Sequence, residues 1–242
     1  MKRKALIISN PGETGSENYC EGVKIDVENY KTFLTSPIGG GWNDDEIQCV
    51  ERPLSIILNL KIQSMRDADY TLIVFCGHGY ATDDDTIIEL RKNEEYTVES
   101  LKRGAKKRTI ILDCCRVIEN ISHSDEIENR YTLYESNSLN KDLARLYYDL
   151  ALSQCLDGIV VTYACDLNET AGDDERFGGI YSYSLLKCAK EYSKKSNAEK
   201  CTSIVRVHNA AAIMTEHRSG GTQHPKIVKP RSAPYFPFVV HI

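Results

Sequence analysis

The chain has 242 residues, and its 35 Asp and Glu against 30 Lys and Arg give a formal net charge of −5, which excludes a strongly basic nucleic-acid binder. Apolar residues make up 41% and charged residues 27%, the values of a chain that buries a core rather than of a disordered acidic one. Nine cysteines, at 20, 49, 76, 114, 115, 155, 165, 188 and 201, contain no C-x-x-C pair and none of the dense spacing of a disulfide scaffold. The N-terminal apolar stretch from Ala5 to Ile8 is too short for a signal-peptide core, and no window approaches a membrane span. A cytoplasmic protein with reduced thiols is expected, with neither membrane nor nucleic acid as a partner.

Short apolar runs alternate with amphipathic stretches, the pattern of strands covered on both faces by helices. The expected fold class is α/β, a three-layer sandwich with a mainly parallel sheet. Ala5 to Ser9 reads as a buried strand. Gly22 to Leu34 is helical, with Val23, Val27, Tyr30 and Leu34 on one stripe. Glu46 to Glu51 suits a short strand, and Pro53 suits the first turn of a helix continued by Leu54, Leu58, Ile62 and Met65. The strongest strand, Tyr70 to Cys76, stops at Gly77-His78-Gly79. Another, Thr109 to Asp113, stops at Cys114-Cys115. Between them lie an acidic loop (Thr82 to Asp85), a strand at Thr86 to Leu90 and a helix from Val98 to about Gly104, enough for a crossover with an added hairpin. Glu119 to Asn140 is polar and aperiodic and reads as an exposed linker. A helix from Lys141 to Leu152, a strand from Gly158 to Tyr163, a polar loop from Cys165 to Gly179 and helices over Ile180 to Tyr192 and Ala198 to Thr215 follow.

In an open parallel sheet, catalytic groups collect where strands end at their carboxyl side. His78 and Cys115 both lie just beyond such ends, so neighbouring strands, about 4.8 Å apart, would deliver an imidazole and a thiol to one rim. A cysteine nucleophile needs a nearby base to raise its thiolate fraction, and the base can be distant in sequence. Gly77 and Gly79 leave the backbone bare around the histidine, so the amides of Gly79 and Cys115 are candidates for an oxyanion hole.

Phe75-Cys-Gly-His-Gly79 resembles the S-G-H-G motif of metacaspases and other caspase-like peptidases, and Leu112-Asp-Cys-Cys115 resembles their D-x-C motif. Gly22-Val-Lys-Ile-Asp26-Val27 is similar to the G-C-x-x-D-V segment of the first helix. Tyr163-Ala-Cys165 through Glu169-Thr-Ala-Gly-Asp173, and Gly179-Ile-Tyr-Ser-Tyr, are similar to the segments following the small-subunit strand. The resemblance implies one domain, with a large-subunit-like part at 1–118, a linker at 119–140 and a small-subunit-like part at 141–242. It implies a cysteine endopeptidase in which Cys115 attacks the scissile carbonyl and His78 handles the proton of the leaving amine. Acidic residues matching Asp26 and Asp113, with Asp173 as a further candidate, imply an S1 pocket for a P1 Arg or Lys, since a desolvated cation needs a paired anion. The D-x-C spacing selects Cys115 over Cys114, which alternation turns to the core.

Other readings stand beside these. Asp113 can cap the following turn and Asp26 can be an exposed helix residue. The Asp83-Asp84-Asp85 run offers oxygen ligands to calcium, although the dyad itself requires no cofactor. Arg116 stands where metacaspases have histidine. The remaining eight cysteines read as ordinary reduced thiols, and the other histidines lack metal-ligand spacing. Arg130 and Lys141 are candidate processing positions in the linker. Protein substrates and an upstream activator are the expected partners, and the resemblance suggests stress, cell-death or antiphage defence. A catalytically silent module that binds proteins is the alternative.

Overall fold

A computed structural model describes residues 1–83, 85–117, 138–195 and 199–241. In chain order its elements are β1 (Arg3–Asn10), α1 (Gly22–Thr35), β2 (Ile47–Glu51), α2 (Ser55–Ser64), β3 (Tyr70–Gly77), β4 (Gly79–Ala81), β5 (Thr86–Arg91), β6 (Glu94–Thr97), α3 (Val98–Leu101) and β7 (Lys107–Asp113). After the undescribed segment come α4 (Ser138–Gln154), β8 (Gly158–Tyr163), β9 (Asp173–Asp174), β10 (Gly178–Gly179), α5 (Ile180–Ser193), β11 (Cys201–Ser203), α6 (Ile204–Arg218), β12 (Lys226–Val228) and β13 (Pro237–Val240).

Six strands form the central sheet in the order β12-β8-β7-β3-β1-β2. All neighbours are parallel except β12, which runs antiparallel to β8. The inner strands are continuous apolar runs because both faces are covered. Ile7, Leu72, Val74, Cys76 and Ile111 pack with α1, α4, α5 and α6, while Ile8, Ile73, Phe75, Ile110 and Leu112 pack with α2, α3, β5 and β6. Each such side chain contributes about 1.5–3 kcal/mol when fully buried. The expected three-layer α/β sandwich is therefore what the chain forms, and the sheet runs through both halves of it because β8 pairs with β7.

Several boundaries differ from expectation. The chain enters α2 only at Ser55, with Leu54 extended at ψ 146°, so Pro53 precedes the helix rather than opening it. The segment between β3 and β7 is a three-stranded antiparallel meander, β4-β5-β6, with a helix of only four residues. The helix expected from Ala198, which lies outside the described residues, begins at Ile204. Cys201–Ser203 pairs instead with β13, and the Ser203 side chain accepts the Arg206 N–H as an N-cap. Ser138 to Asn140, read as the end of the linker, form the first turn of α4.

Candidate active site

β3 and β7 pair with Cys76 opposite Asp113, so His78 and Cys115 leave adjacent strands at the same level. Only glycine lets β3 leave the sheet there. Gly77 has φ +144°, and a Cβ on it would stand 2.3 Å from the Asn10 carbonyl oxygen. The loop after β1 then folds over the imidazole. Asn10 Nδ2 donates to the Glu89 carbonyl (2.8 Å), its Oδ1 accepts the Gly12 N–H (3.2 Å), and the Cys20 N–H donates to the Pro11 carbonyl (2.8 Å). The result is a contact of 3.7 Å between Cys20 Sγ and His78 Nε2. Burial, with the nearby Asp173 and Cys115 charges, pushes the Cys20 thiol up to about 12, so it stays protonated. Cys20 is a free thiol, as the sequence reading has it, and it lies against the imidazole.

The Cys115 sulfur, half-buried, accepts the Ala171 N–H at 3.3 Å and lies 3.7 Å from the Ala171 carbonyl oxygen. Neither hydrogen bond goes to His78. Burial pushes the thiol up, the Ala171 N–H pulls it down, and the Asp113 and Asp173 charges push it up further. Cys114 is 2% exposed and packs in the opposite layer. A Cβ on Gly79 would stand 2.9 Å from its sulfur, so it lies in the core, as alternation along a strand requires.

Arg116, without an assigned role in the sequence, braces the floor. Its Nε donates to Thr86 Oγ1 (3.1 Å), its Nη1 to the Cys165 carbonyl (3.3 Å), and its guanidinium lies 4.2 Å over the Tyr163 ring.

The direction of the Gly79 amide follows from the ladder. The Glu89 N–H donates to the His78 carbonyl (3.0 Å), which makes Gly79 opposite Ile88 a non-hydrogen-bonded pair. The Gly79 N–H therefore turns away from β5. It points to the side on which the Ala81 N–H meets the Val117 carbonyl at 3.3 Å, the side of the chain leaving Cys115.

Three carboxylates gather around Gly178 and Gly179. Asp26 Oδ2 accepts the Gly179 N–H (3.0 Å), Asp113 Oδ2 the Ser182 N–H (2.8 Å) and Asp173 Oδ2 the Gly22 N–H (3.1 Å). A Cβ on Gly178 would stand 2.1 Å from Asp26 Oδ1, and one on Gly179 2.4 Å from Asp113 Oδ2, so the close approach needs both glycines. Asp26 and Asp113 are 2% and 6% exposed, beneath the rim rather than on it, and Asp26 is no exposed helix residue. Burial raises Asp113 to about 6, against the hydrogen bonds at the α5 N-terminus; burial and Asp113 raise Asp26; burial and Asp174 raise Asp173. Asp26 Oδ1 is buried without a hydrogen-bond partner.

The other candidates fall away from the site. Lys141 lies in the first turns of α4, with its carbonyl oxygen 2.6 Å from where a Gly41 Cβ would be, so the bond after it is helical and packed rather than an extended, accessible processing position. Arg130 and Asp84 lie outside the described residues. The Asp85 carboxylate accepts the N–H groups of Thr86 (2.8 Å) and Glu99 (2.9 Å). Among the described residues no group of three His, Cys, Asp or Glu side chains is placed to hold a metal ion, and no helix is long and apolar enough to cross a membrane. His208 is a packing residue: it meets the Tyr181 hydroxyl at 2.8 Å, and burial lowers it to about 4.

Sequence reasoning missed Cys20 and Gln223, which carry no motif, and it gave Ala171 no role although that residue stands inside the Glu169-Thr-Ala-Gly-Asp173 match.

A family model described as "Caspase domain" matches residues 2–236. Among solved structures the chain is similar to caspase-1 from Spodoptera frugiperda, at 14% identity and a TM-score of 0.59, over 94% of this chain and 86% of that one. That likeness shows the fold. No curated protein sequence matches.

Proposed function

The chain belongs to the caspase domain family and is a cysteine-type endopeptidase, and from this premise we propose that Cys115 is its nucleophile and that it cleaves proteins after Arg or Lys. The single observation that carries the reading is the delivery of His78 and Cys115 to one level by the paired ends of β3 and β7. The Cys115 thiolate attacks the scissile carbonyl carbon, and the carbonyl oxygen, now an oxyanion, accepts the N–H groups of Gly79 and Cys115. His78 takes the proton that the Cys115 thiol loses and gives it to the departing amine. Water then attacks the thioester, which releases the new carboxyl end and the thiol. The orientation of the Gly79 amide toward the chain leaving Cys115 supports its share in the oxyanion hole.

The preference for a basic P1 side chain is supported by the Asp26, Asp113 and Asp173 carboxylates and by the unpartnered Asp26 Oδ1. Like charges held in a buried group are costly, and a guanidinium or ammonium relieves that cost. We place the enzyme, on its sequence resemblance, as an activatable protease of a stress, cell-death or defence pathway, processed in the linker at Arg130.

One observation favours a second reading, a silent binding module: the Cys115 sulfur is bonded to Ala171 while His78 Nε2 faces Cys20. The same arrangement suits a zymogen. A panel of peptides with P1 Arg, Lys and Asp, assayed with and without calcium and with limited proteolysis as a trigger, separates the readings. Cleavage after Arg and Lys is expected. Cleavage after Asp alone overturns the acidic pocket, and no cleavage under any condition supports the silent module.

A further inference from the structure

The chain leaves α6 through Ser219, Gly220 and Gly221, the glycines at φ +65° and +84°, and the Gly221 N–H closes the turn on the Glu216 carbonyl (2.8 Å). Ser219 Oγ accepts the Gln223 N–H at 3.1 Å, and the turn drives the Gln223 side chain inward until the residue is 1% exposed. There both polar atoms of its carboxamide have a backbone partner. Nε2 donates to the Ala164 carbonyl (2.9 Å), and Oε1 accepts the Gly172 N–H (3.1 Å).

These two backbone groups are the ends of the loop that supplies Ala171. Ala164 is itself anchored to the strand that carries the nucleophile, because its N–H donates to the Leu112 carbonyl at 2.8 Å. The middle of the loop is fixed by the next residue: the His224 N–H donates to Glu169 Oε2 (2.7 Å) and His224 Nδ1 meets Glu169 Oε1 (2.6 Å). The Glu169 carbonyl in turn accepts the Arg116 N–H at 2.9 Å. A primary amide is the side chain suited to this place, since it offers both a donor and an acceptor atom without charge. Removing it would leave a buried C=O and N–H unpaired and take one tie from each end of the loop, although the Ala164 N–H keeps the Leu112 carbonyl and the Gly172 carbonyl keeps the Ile180 N–H.

We propose that Gln223 is a positioning residue of the peptidase: by fastening both ends of the loop from Ala164 to Gly172, it holds the Ala171 N–H against the Cys115 sulfur. The inference rests on the reading of Cys115 as the nucleophile. An N–H aimed at a half-buried sulfur favours the thiolate, so Gln223 acts on catalysis through Ala171 without touching substrate.

The test is the pH dependence of iodoacetamide alkylation at Cys115, read by peptide mass mapping in wild type, Gln223→Met and Gln223→Glu. Methionine keeps the length and loses both bonds; glutamate keeps the acceptor and sets a charge against the Ala164 carbonyl. In both variants the Cys115 inflection is expected to move up by about one pH unit, with kcat lowered about tenfold and KM within about threefold. Cys49, exposed on β2, should alkylate as in wild type. Variants that fold and keep the wild-type inflection overturn the proposal, and so does a lowered melting temperature with the inflection unmoved, which marks a purely structural residue. If neither variant folds, amide hydrogen exchange on the wild type decides: protection of the Ala171 and Gly172 amides like that of β7 supports the clamp, and exchange at free-peptide rates overturns it. Alkylation reads the thiol without any peptidase activity. Peptidase activity that survives Cys115→Ala would therefore overturn the nucleophile assignment separately from the clamp.

Discussion

The two ends of the central sheet bury charge in opposite ways. At the amino end, Arg3 of β1 is 1% exposed, sandwiched between Trp42 (4.6 Å) and Tyr148 (5.0 Å), bonded to the Gly40 carbonyl (3.0 Å) and faced by Asp149 (3.5 Å) and Glu46 (3.8 Å). At the carboxyl end, Asp26, Asp113 and Asp173 share a site in which each raises the proton affinity of another or has its own raised. Opposite charges buried together serve the fold. Like charges buried together cost stability, a cost that clusters at functional sites.

Substitution should separate the two ends. The largest effect belongs to the rim: Cys115→Ala should remove peptidase activity, and His78→Ala should lower kcat/KM by about 10²–10⁴, with thermal melting within a few degrees of wild type. Activity within a few fold of wild type in His78→Ala would break the dyad. At the amino end, Arg3→Met should lower unfolding free energy by about 3 kcal/mol in urea titration, because Asp149 and Glu46 each lose one of two cationic partners and the Gly40 carbonyl loses its donor, yet leave the ratio of P1 Arg to P1 Asp cleavage unchanged. Asp113→Asn should do the reverse. It should lower kcat/KM for a P1 Arg peptide by about a hundredfold, the scale of one buried charge-assisted contact, with stability near neutral pH equal or higher.

The pH dependence sharpens the contrast. Asp113 is raised from 3.8 to about 6, so the folded state binds that proton more tightly than the unfolded chain. Its contribution is fully present below the unfolded value and is lost as pH rises through about 6. It amounts to about 3 kcal/mol. Urea midpoints between pH 4 and pH 7 should fall more steeply in wild type than in Asp113→Asn, where Asp26 and Asp173 alone remain raised; parallel profiles would contradict the burial argument. A smaller effect is expected of Cys20→Ala, a change of about two- to threefold in kcat, because only a thiol contact on His78 is lost.

Much of this was legible in the sequence, for physical reasons. β3 and β7 are apolar runs cut off by Gly77 and Cys114, so their ends, and hence His78 and Cys115, were fixed by pattern alone. The D-x-C spacing chose between Cys114 and Cys115, and the opposite faces of a strand explain why it had to. What escaped was set by tertiary contact. No periodicity brings Cys20 over His78, since that contact depends on Asn10 pinning Gly12 and on Pro11 holding Cys20. Nothing local marks Gln223, whose importance lies in two backbone groups distant in sequence. The depth of Asp26 and Asp113 also escaped, because it depends on Gly178 and Gly179 closing over them. The place of Lys141 inside α4 escaped as well, because the helix begins at Ser138, earlier than its apolar stripe suggests.

The central claim, that one thiol at the end of β7 attacks substrates with a basic P1 residue, is tested most directly by an affinity label. A peptidyl acyloxymethyl ketone with P1 Arg should add once to the activated protein, with the adduct mapping to Cys115 and absent from His78→Ala and Cys115→Ala. An adduct on Cys20 or Cys114, or labelling only by the P1 Asp analogue, would contradict the account.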